Sequence, residues 1–281
     1  MSFAYYNGYF SKFSDIRIPL SDRSIFFGDG VYDAAIGMSG KIYLEKEHID
    51  RFYTNAAALG ICVGMEKSDL SLLLKEVILR SGLKSYFLYF QLTRYSESRC
   101  HAYPKSTRSN LLITIKAHSI PPATATLKLI TVEDVRYSMC NVKTLNLLPN
   151  VIASAEAEEA GCDEAVFVRN GIVTECAHSN IFTVKDGVVY THPKSNFILP
   201  GITRGRILFL CDRLGIPYRE VPFTREDLTA ADAVLVTSTT RLCMMATELD
   251  GKRLGKEKNE LSSRLISAIN DDYFSFFLQK N

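Results

Sequence analysis

A pair of adjacent prolines near the middle of the chain constrains most strongly how this sequence can fold. Pro121 and Pro122 stand in the stretch Ser-Ile-Pro-Pro-Ala-Thr-Ala-Thr, residues 119–126 of a 281-residue chain. Adjacent prolines interrupt helices and central strands, and small polar neighbours are typical of linkers. The sequence therefore predicts a smaller α/β domain over residues 1–118 and a larger C-terminal domain over residues 127–281, joined by this linker.

Helical and strand patterns are mixed on both sides of the linker. The helical patterns cover residues 44–59, 67–81, 149–160 and 203–214. The strand patterns, rich in aromatic and β-branched residues, cover residues 4–6, 9–10, 86–93, 110–118, 127–135, 165–168, 181–184, 188–190 and 233–236. Because strands and helices do not alternate strictly, the predicted fold class is α+β or mixed α/β rather than a doubly wound parallel sheet.

Composition and charge do not favour nucleic-acid binding, membrane insertion or a structural metal site. The chain has 33 Lys and Arg against 31 Asp and Glu, so it lacks the basic surplus typical of proteins that bind nucleic acid or acidic membranes. No apolar run reaches the roughly 18 residues of a membrane span, and the first residues do not resemble a signal peptide, so we expect a cytoplasmic protein. The seven cysteines are widely spaced without a C-x-x-C pair, and no His, Asp and Glu cluster has metal-ligand spacing. Neither a disulfide framework nor a metal site is therefore expected.

One lysine stands at a place that suits covalent chemistry. Lys143 lies between a strand pattern and an apolar run that leads into a helix. A partly buried lysine amine attacks carbonyl groups and forms Schiff bases, whereas an exposed lysine would only keep its charge in water. Glu175, at the end of a strand pattern, could hold a heterocyclic nitrogen protonated or could be an ordinary rim charge.

Three other short motifs suit anions, although each also fits a capped helix, a polar turn or a solvated loop. Ile202 and Thr203 open a predicted helix after Gly201, where free N–H groups and the helix dipole attract phosphate. The hydroxyl-rich stretch at residues 237–240 follows a buried strand directly. In an extended segment Arg99 and His101 would face the same way and could hold a carboxylate. A Schiff-base lysine, a carboxylate and phosphate donors together meet the requirements of pyridoxal phosphate.

Eight stretches in a characteristic order carry a family resemblance over nearly the whole chain. They are residues 27–32, 47–51, 89–94, 143–148, 174–175, 179–180, 201–204 and 236–240. In these stretches the chain resembles the fold-type IV (class IV) pyridoxal-phosphate aminotransferases, and most closely the bacterial D-amino acid aminotransferases. The resemblance implies a two-domain homodimer that exchanges the amino group of a D-amino acid, of the D-alanine or D-glutamate type, with a 2-oxo acid. It implies no partners beyond these small molecules and the second subunit.

The resemblance also implies a role for each site residue. Lys143, carried by the C-terminal domain, would hold the cofactor as a Schiff base and move the substrate α-proton, and Glu175 would pair with the pyridine nitrogen. The residues implied to bind the cofactor phosphate are Arg51, Ile202 (through its N–H), Thr203, Ser238 and Thr239. Tyr32, with Arg99 and His101 of the partner chain, would form the trap for the substrate carboxylate.

Alternatives within the same fold stay open. Branched-chain L-amino acid aminotransferases and 4-amino-4-deoxychorismate lyases share the lysine and glutamate but usually lack the R-x-H pair. A pyridoxal-phosphate-binding protein without turnover is disfavoured, because every catalytic position is filled. Ala34, Ile36, His178 and Arg241 depart from the pattern of D-amino acid aminotransferases. Since these positions border the expected substrate pocket, the physiological donor, the acceptor and the strictness of D selectivity are left open.

Overall fold

The computed structural model describes residues 3–95, 99–103, 108–255 and 259–279. The backbone divides into two units. The first comprises Met1–Ser119 together with Val142–Asn146, and the second comprises Ile120–Asn141 together with Leu147–Gln279. The long continuous part of the first unit thus reaches Ser119, the first residue of the stretch predicted as a linker.

The first unit is built on one antiparallel sheet. Its elements are β1 (Phe3–Tyr6), β2 (Tyr9–Lys12), a 3-10 turn (Phe13–Asp15), α1 (Arg23–Phe27), β3 (Gly30–Met38), β4 (Lys41–Ile42), α2 (Glu45–Ala58), α3 (Lys67–Ser81), β5 (Ser85–Arg94) and β6 (Ser109–Ala117). The six strands lie in the order β2-β1-β6-β5-β3-β4, and every neighbouring pair is antiparallel. The turn between β1 and β2 has positive φ at Asn7 and Gly8, which is the geometry that an Asn-Gly hairpin favours.

The core of the first unit lies between this sheet and the helices α2 and α3. Phe52 and Leu74 are buried with Leu88 and Phe90, and the rings of Phe52 and Phe90 meet edge to face at 4.9 Å. Both helices lie where the sequence pattern predicts them, and Gly82 ends α3 at φ +67°. The helices matter for function because α2 carries Arg51, whose side chain points back to β3.

The segment that contains Lys143 pairs with β3. The N–H of Tyr32 donates to the carbonyl oxygen of Lys143 at 3.0 Å, and the N–H of Leu145 donates to the carbonyl oxygen of Gly30 at 3.1 Å. Val31 and Thr144 form an antiparallel bridge. This differs from the expectation that the C-terminal domain carries the lysine. The physical reason is that hydrogen bonds between distant segments, rather than position along the chain, decide which unit a short stretch joins.

The second unit contains a larger mixed sheet. Its elements are β7 (Thr126–Glu133), α4 (Leu148–Glu159), β8 (Glu164–Arg169), β9 (Ile172–Cys176), β10 (Asn180–Lys185), β11 (Val188–Thr191), α5 (Ile202–Leu214), β12 (Tyr218–Glu220), α6 (Arg225–Thr229), β13 (Ala233–Ser238), β14 (Leu242–Leu249), β15 (Lys252–Arg253) and α7 (Glu260–Leu278). The strand order is β12-β11-β10-β13-β14-β7-β8-β9, with β15 paired to β14. The pairs β11–β12, β14–β7 and β7–β8 are parallel and the others are antiparallel. This mixture confirms the α+β or mixed α/β fold class.

Most elements of the second unit follow the sequence patterns, but its longest helix does not. Pro149 lies in the first turn of α4, and Gly215 ends α5 at φ +66°, as predicted. The helix α7 has no counterpart among the predicted elements. Its N-cap, Asn259, accepts a hydrogen bond from the N–H of Ser262. Its buried residues, among them Leu265, Ile266, Ile269 and Tyr273, recur at helical spacing, so the sequence does contain a helical signal here.

The described residues contain neither a membrane-spanning helix nor a cluster of metal ligands. No helix in these ranges combines the length and the apolar character that crossing a bilayer requires. No group of three or more His, Cys, Asp and Glu side chains in the same ranges could hold a metal ion. All seven cysteines lie within the described residues and are free thiols.

Candidate active site

In the first unit, the amine of Lys143 lies against an aromatic pair. Its Nζ donates a hydrogen bond to the hydroxyl of Tyr32 at 3.2 Å and lies 4.3 Å from the centre of the Tyr32 ring. The Tyr32 ring stacks on that of Tyr89 at 5.3 Å, and the Tyr89 hydroxyl donates to Oε1 of Gln91 at 2.7 Å. Burial, with a smaller contribution from Tyr32, raises the pKa of Tyr89. The phenol of Tyr89 therefore stays protonated, and the pair holds the amine near the start of β3.

Asp33, the residue of β3 that follows Tyr32, fixes the side chain of Arg51, which is predicted to bind phosphate. Asp33 is fully buried and accepts two hydrogen bonds from Arg51, at 2.8 and 2.9 Å, and its Oδ1 lies 2.7 Å from Nδ1 of His48. Burial alone would raise the pKa of Asp33, but Arg51 and His48 hold it well below its ordinary range. Burial also lowers the pKa of His48, against the opposing effect of Asp33. A neutral His48 therefore shares with Arg51 a carboxylate that remains ionised.

Arg99 and His101, two of the three residues of the predicted carboxylate trap, lie on the surface of the first unit. Arg23 is buried and donates to the carbonyl oxygens of Cys100 and His101. The guanidinium of Arg99 lies 5.1 Å from the ring centre of Phe27, and the ring of His101 lies 5.3 Å from it. Both side chains are exposed. The flanking residues 96–98 and 104–107 lie outside the described residues.

In the second unit, the carboxylate of Glu175 is held by three nitrogen donors. Glu175 is buried near the end of β9. Its Oε1 accepts from Nη1 of Arg136 at 2.6 Å, and its Oε2 accepts from Nδ2 of Asn180 and from the N–H of Leu199, each at 3.0 Å. A carboxylate fixed in this way has a defined direction from which a further hydrogen-bond donor can approach.

Arg136 was missed by sequence reasoning. Besides Glu175, it binds the fully buried side chain of Asp134 through Nε and Nη2, both at 2.9 Å. Burial alone would lower the pKa of Arg136, but Asp134 and Glu175 raise it above its ordinary value. The arginine is therefore a permanent cation between two carboxylates. The spacing of Asp134 and Arg136, two residues apart directly after a strand, was the one signal in the sequence that could have indicated this pair.

The start of α5 has the properties of an anion-binding site. The helix begins at Ile202, and its N-cap, Gly201, has no side chain to cap the first N–H groups. Thr203, in the first turn, is buried. A Cβ at Gly201 would lie 2.0 Å from Oδ1 of Asn180, so only glycine lets the backbone pass this close. The predicted phosphate donors on α5 thus lie next to Asn180, whose side chain donates a hydrogen bond to Glu175.

The hydroxyl-rich stretch at residues 237–240 lies at the end of β13, close to Asn180 and the start of α5. The backbone of Asn180, the first residue of β10, pairs with Thr237 of β13, and its side chain donates to the carbonyl oxygen of Leu199 just before α5. Ser238 is the last residue of β13, and Thr239 begins the turn that follows. The fold therefore gathers Ile202, Thr203, Ser238 and Thr239 around the beginning of β10. These residues suit the phosphate and ring nitrogen of pyridoxal phosphate, since uncapped N–H groups and hydroxyls lie next to a fixed carboxylate.

Comparison with known proteins gives the family. The sequence profile of the amino-transferase class IV family matches residues 30–249. The chain is 36% identical over 256 residues to a D-alanine aminotransferase of Bacillus licheniformis, and the match covers 89% of each protein.

Two solved structures have the same fold. A branched-chain aminotransferase of the archaeon Thermoproteus uzoniensis with norvaline superposes with a TM-score of 0.89 at 22% identity, covering 97% of this chain and 95% of that one. A protein of Legionella pneumophila described as a candidate 4-amino-4-deoxychorismate lyase superposes with a TM-score of 0.85 at 26% identity, covering 92% of this chain and 96% of that one. The family profile and the identity to the Bacillus relative, with which both structures agree, show that the chain belongs to the class IV aminotransferases, which are pyridoxal-phosphate enzymes.

Proposed function

We propose that this protein transfers the amino group of a D-amino acid, of the D-alanine or D-glutamate type, to a 2-oxo acid. The observation that carries the proposal is the 36% identity to the Bacillus D-alanine aminotransferase over 89% of both chains. The presence of Tyr32, Arg99 and His101 at the positions of the expected carboxylate trap supports it.

Lys143 is the residue proposed to attach the cofactor, as a Schiff base, and to carry the proton to and from the substrate α-carbon. When bound, pyridoxal phosphate supplies the carbonyl that receives the amino group and a ring that takes up the electrons left by the departing proton. The hydroxyl of Tyr32 accepts a hydrogen bond from the Lys143 amine at 3.2 Å, which orients the amine without closing it off from a carbonyl. The partly buried Tyr32–Tyr89 pair would then line the substrate site beside this amine.

Glu175 is proposed to keep the ring nitrogen protonated. Arg136, Asn180 and the N–H of Leu199 fix its two oxygens. The Glu175 carboxylate would therefore bind the pyridine nitrogen of the cofactor without first having to be reoriented. Arg136 is a positioning residue in this scheme, because it acts through Glu175.

The phosphate is proposed to bind Arg51, the N–H of Ile202, Thr203, Ser238 and Thr239. Support comes from the uncapped start of α5 and from the hydroxyls at the end of β13. Arg51 is pre-oriented by its paired hydrogen bonds to Asp33. An arginine already held on a buried carboxylate loses little side-chain entropy when it takes up a phosphate oxygen.

We propose further that the active form is a homodimer in the cytoplasm, with Arg99 and His101 supplied from a second copy of the chain. Large apolar side chains are exposed around this segment, among them Leu20, Ile25 and Phe26. Contiguous exposed apolar residues are typical of an interaction surface. A reducing compartment suits a chain whose seven cysteines are all free.

Product analysis tests the reaction class. The purified enzyme with pyridoxal phosphate is incubated with D-alanine and 2-oxoglutarate, and the glutamate formed is separated by chiral chromatography. The proposal predicts pyruvate and D-glutamate. L-Glutamate made from L-leucine, with no product from D-alanine, would establish the branched-chain alternative. Pyruvate and 4-aminobenzoate from 4-amino-4-deoxychorismate would establish the lyase.

A further inference from the structure

A charged cluster next to the proposed phosphate site has no role in the scheme above. Its centre is Glu164, the first residue of β8, whose side chain is fully buried. The carboxylate accepts from the hydroxyl of Ser179 at 3.0 Å and from the N–H of His178 at 3.3 Å, and it lies 2.8 Å from Nδ1 of His178. Glu164 therefore has three close polar contacts in addition to Arg241.

The other charge of the cluster is Arg241, which the turn after β13 holds in place. Ser238 pairs with Leu242, so Thr239, Thr240 and Arg241 form a three-residue hairpin turn. The N–H of Arg241 donates to Oγ of Ser238 at 3.3 Å. Leu242 closes the turn in the left-handed region, at φ +55°, with its side chain buried. Arg241 is therefore anchored two residues beyond Thr239, a proposed phosphate ligand.

The guanidinium of Arg241 has unused hydrogen-bonding capacity. Its Nη1 is buried and has no hydrogen-bond partner in the part of the chain that the structure describes. The carboxylate oxygen that pairs with it, Oε2 of Glu164, is 3.7 Å away, which is close enough to attract the charge but too far for a hydrogen bond. A buried donor without a partner costs free energy that an acceptor on a ligand would restore. Although Nη1 itself is buried, the side chain as a whole is 27% exposed, so the residue borders solvent.

The cluster also adjoins the proposed catalytic carboxylate. The thiol of Cys176, the residue after Glu175, is fully buried and within electrostatic reach of both Glu164 and Arg241. The N–H of Cys176 donates to the carbonyl oxygen of Ser179 at 2.8 Å, which ties the end of β9 to the residues that bind Glu164. Glu175 and the Arg241 cluster thus share the same end of β9.

We propose that Arg241 binds the second carboxylate of a dicarboxylic substrate. The proposal rests on the proposed transaminase function and names its preferred substrate class: acidic amino acids and their 2-oxo acids, of glutamate size. A guanidinium presents its N–H groups as a planar fork that matches a carboxylate. Glu164 acts as a positioning residue, because its charge draws the guanidinium while its own hydrogen bonds are made with Ser179 and His178.

Binding of two unreactive acids tests the proposal without turnover. Glutarate and pentanoate have the same chain length, but only glutarate has a second carboxylate. Their dissociation constants are measured by titration calorimetry on the enzyme loaded with pyridoxal phosphate. In Arg241→Met the affinity for glutarate should fall roughly tenfold to a hundredfold, the usual effect of losing a charge-assisted hydrogen bond, while pentanoate binding is unchanged. Arg241→Lys, which keeps the charge, should lose less, and Arg213→Met at an exposed position of α5 is the matched control.

Turnover provides the second readout. The kcat/KM of Arg241→Met should fall for D-glutamate and stay unchanged for D-alanine, with unaltered retention of pyridoxal phosphate. An equal loss for both amino acids, or weaker cofactor binding with unchanged preference between glutarate and pentanoate, would overturn the proposal and assign Arg241 to the phosphate or to the turn. If the wild-type enzyme turns over neither D-amino acid, the proposed function fails, and the comparison of glutarate with pentanoate still decides the role of Arg241.

Discussion

Lys143 owes its place to the backbone as much as to its side chain. Its carbonyl oxygen accepts from the N–H of Tyr32, and its amine donates to the hydroxyl of the same residue. Replacement by alanine keeps the backbone pairing and removes the amine alone. We expect Lys143→Ala to fold normally. Its transamination rate should fall by a factor of roughly 100 to 10,000 or more, because a positioned acid–base group usually contributes a factor of that size. Lys116→Ala, at an exposed position of β6, is the control, and a turnover number near that of the wild type would disprove the assignment.

Arg136 gives a prediction about stability. In Arg136→Met the buried carboxylates of Asp134 and Glu175 lose their shared cation. Breaking a buried ion pair from one side costs about 3–5 kcal/mol, so the free energy of unfolding in urea should fall by an amount of that order. Replacing Asp134 by asparagine in the same variant should recover part of the loss, because it removes a buried charge that would then be paired only with Arg169. A change below about 1 kcal/mol, the value typical of exposed ion pairs, would contradict the role given to Arg136.

The same residues show what the sequence could and could not indicate about the site. Lys143, Glu175 and the segments around Ile202 and Ser238 stand in local motifs, so the family resemblance could predict them as site residues. Arg136 lies 39 residues from Glu175 along the chain, and the contact arises only from the pairing of strands. The cluster of Glu164 with Arg241 is likewise a product of tertiary structure.

At the scale of the element, α5 offers a matched pair of glycine substitutions. A Cβ at Gly201 would lie 2.0 Å from Oδ1 of Asn180, whereas a Cβ at Gly205 would meet nothing within 4 Å. Gly201→Ala should displace Asn180 from Glu175, weaken cofactor binding and cost about 1–3 kcal/mol of stability, as overpacking usually does. Gly205→Ala should stabilise the protein by about 0.5–1 kcal/mol, because alanine is the better residue inside a helix. Equal effects of the two substitutions on the dissociation constant of pyridoxal phosphate would contradict the proposed phosphate site at the start of α5.

The elements that the sequence predicted best are those with local boundary signals. Gly82 and Gly215 end α3 and α5 in the left-handed conformation that glycine favours. The strand β3, which carries Tyr32 and Asp33, was not predicted as a strand. Its residues are buried in a pattern without strict alternation, so the period-two signal is lost. The helix α7 was also not predicted, although its buried residues Leu265, Ile266 and Ile269 recur at helical spacing.

At the scale of the whole molecule, acid should lower stability in two stages. Burial lowers the pKa of His48 below its ordinary value of 6.5, with Asp33 opposing. The unfolded chain then binds a proton that the folded chain does not, so the free energy of unfolding falls as the pH drops below about 6.5. Asp33 and Asp134 keep their stabilising effect above their ordinary value of 3.8 and lose it as the pH falls through their lowered folded pKa values.

Urea unfolding at about pH 7 and about pH 5.5 isolates the first stage. His48→Asn should show a smaller difference between the two pH values, since an amide can donate to Asp33 as the imidazole does but does not titrate. If the wild type and His48→Asn lost the same stability over this range, the first stage would have another cause.

Assembly can be tested by mixing two impaired variants. If Arg99 acts in the site of a second copy, Lys143→Ala and Arg99→Ala damage different subunits of one site. Unfolding and refolding them together in equal amounts should yield mixed dimers with one intact site each, and about a quarter of the wild-type activity. Arg99→Ala alone should raise the KM for the amino acid and retain the cofactor. No recovery on mixing would place Arg99 in its own subunit's site or outside the site.

The most direct test of the central claim is a half-reaction that compares amino acids of opposite hand. The enzyme loaded with pyridoxal phosphate is mixed with D-alanine and, in a parallel sample, with L-leucine, and the absorbance of the bound cofactor is followed over a single turnover. A D-amino acid aminotransferase should convert its cofactor to the amine form with D-alanine and leave it unchanged with L-leucine. Conversion with L-leucine alone would contradict the claim and place the enzyme with the branched-chain aminotransferases.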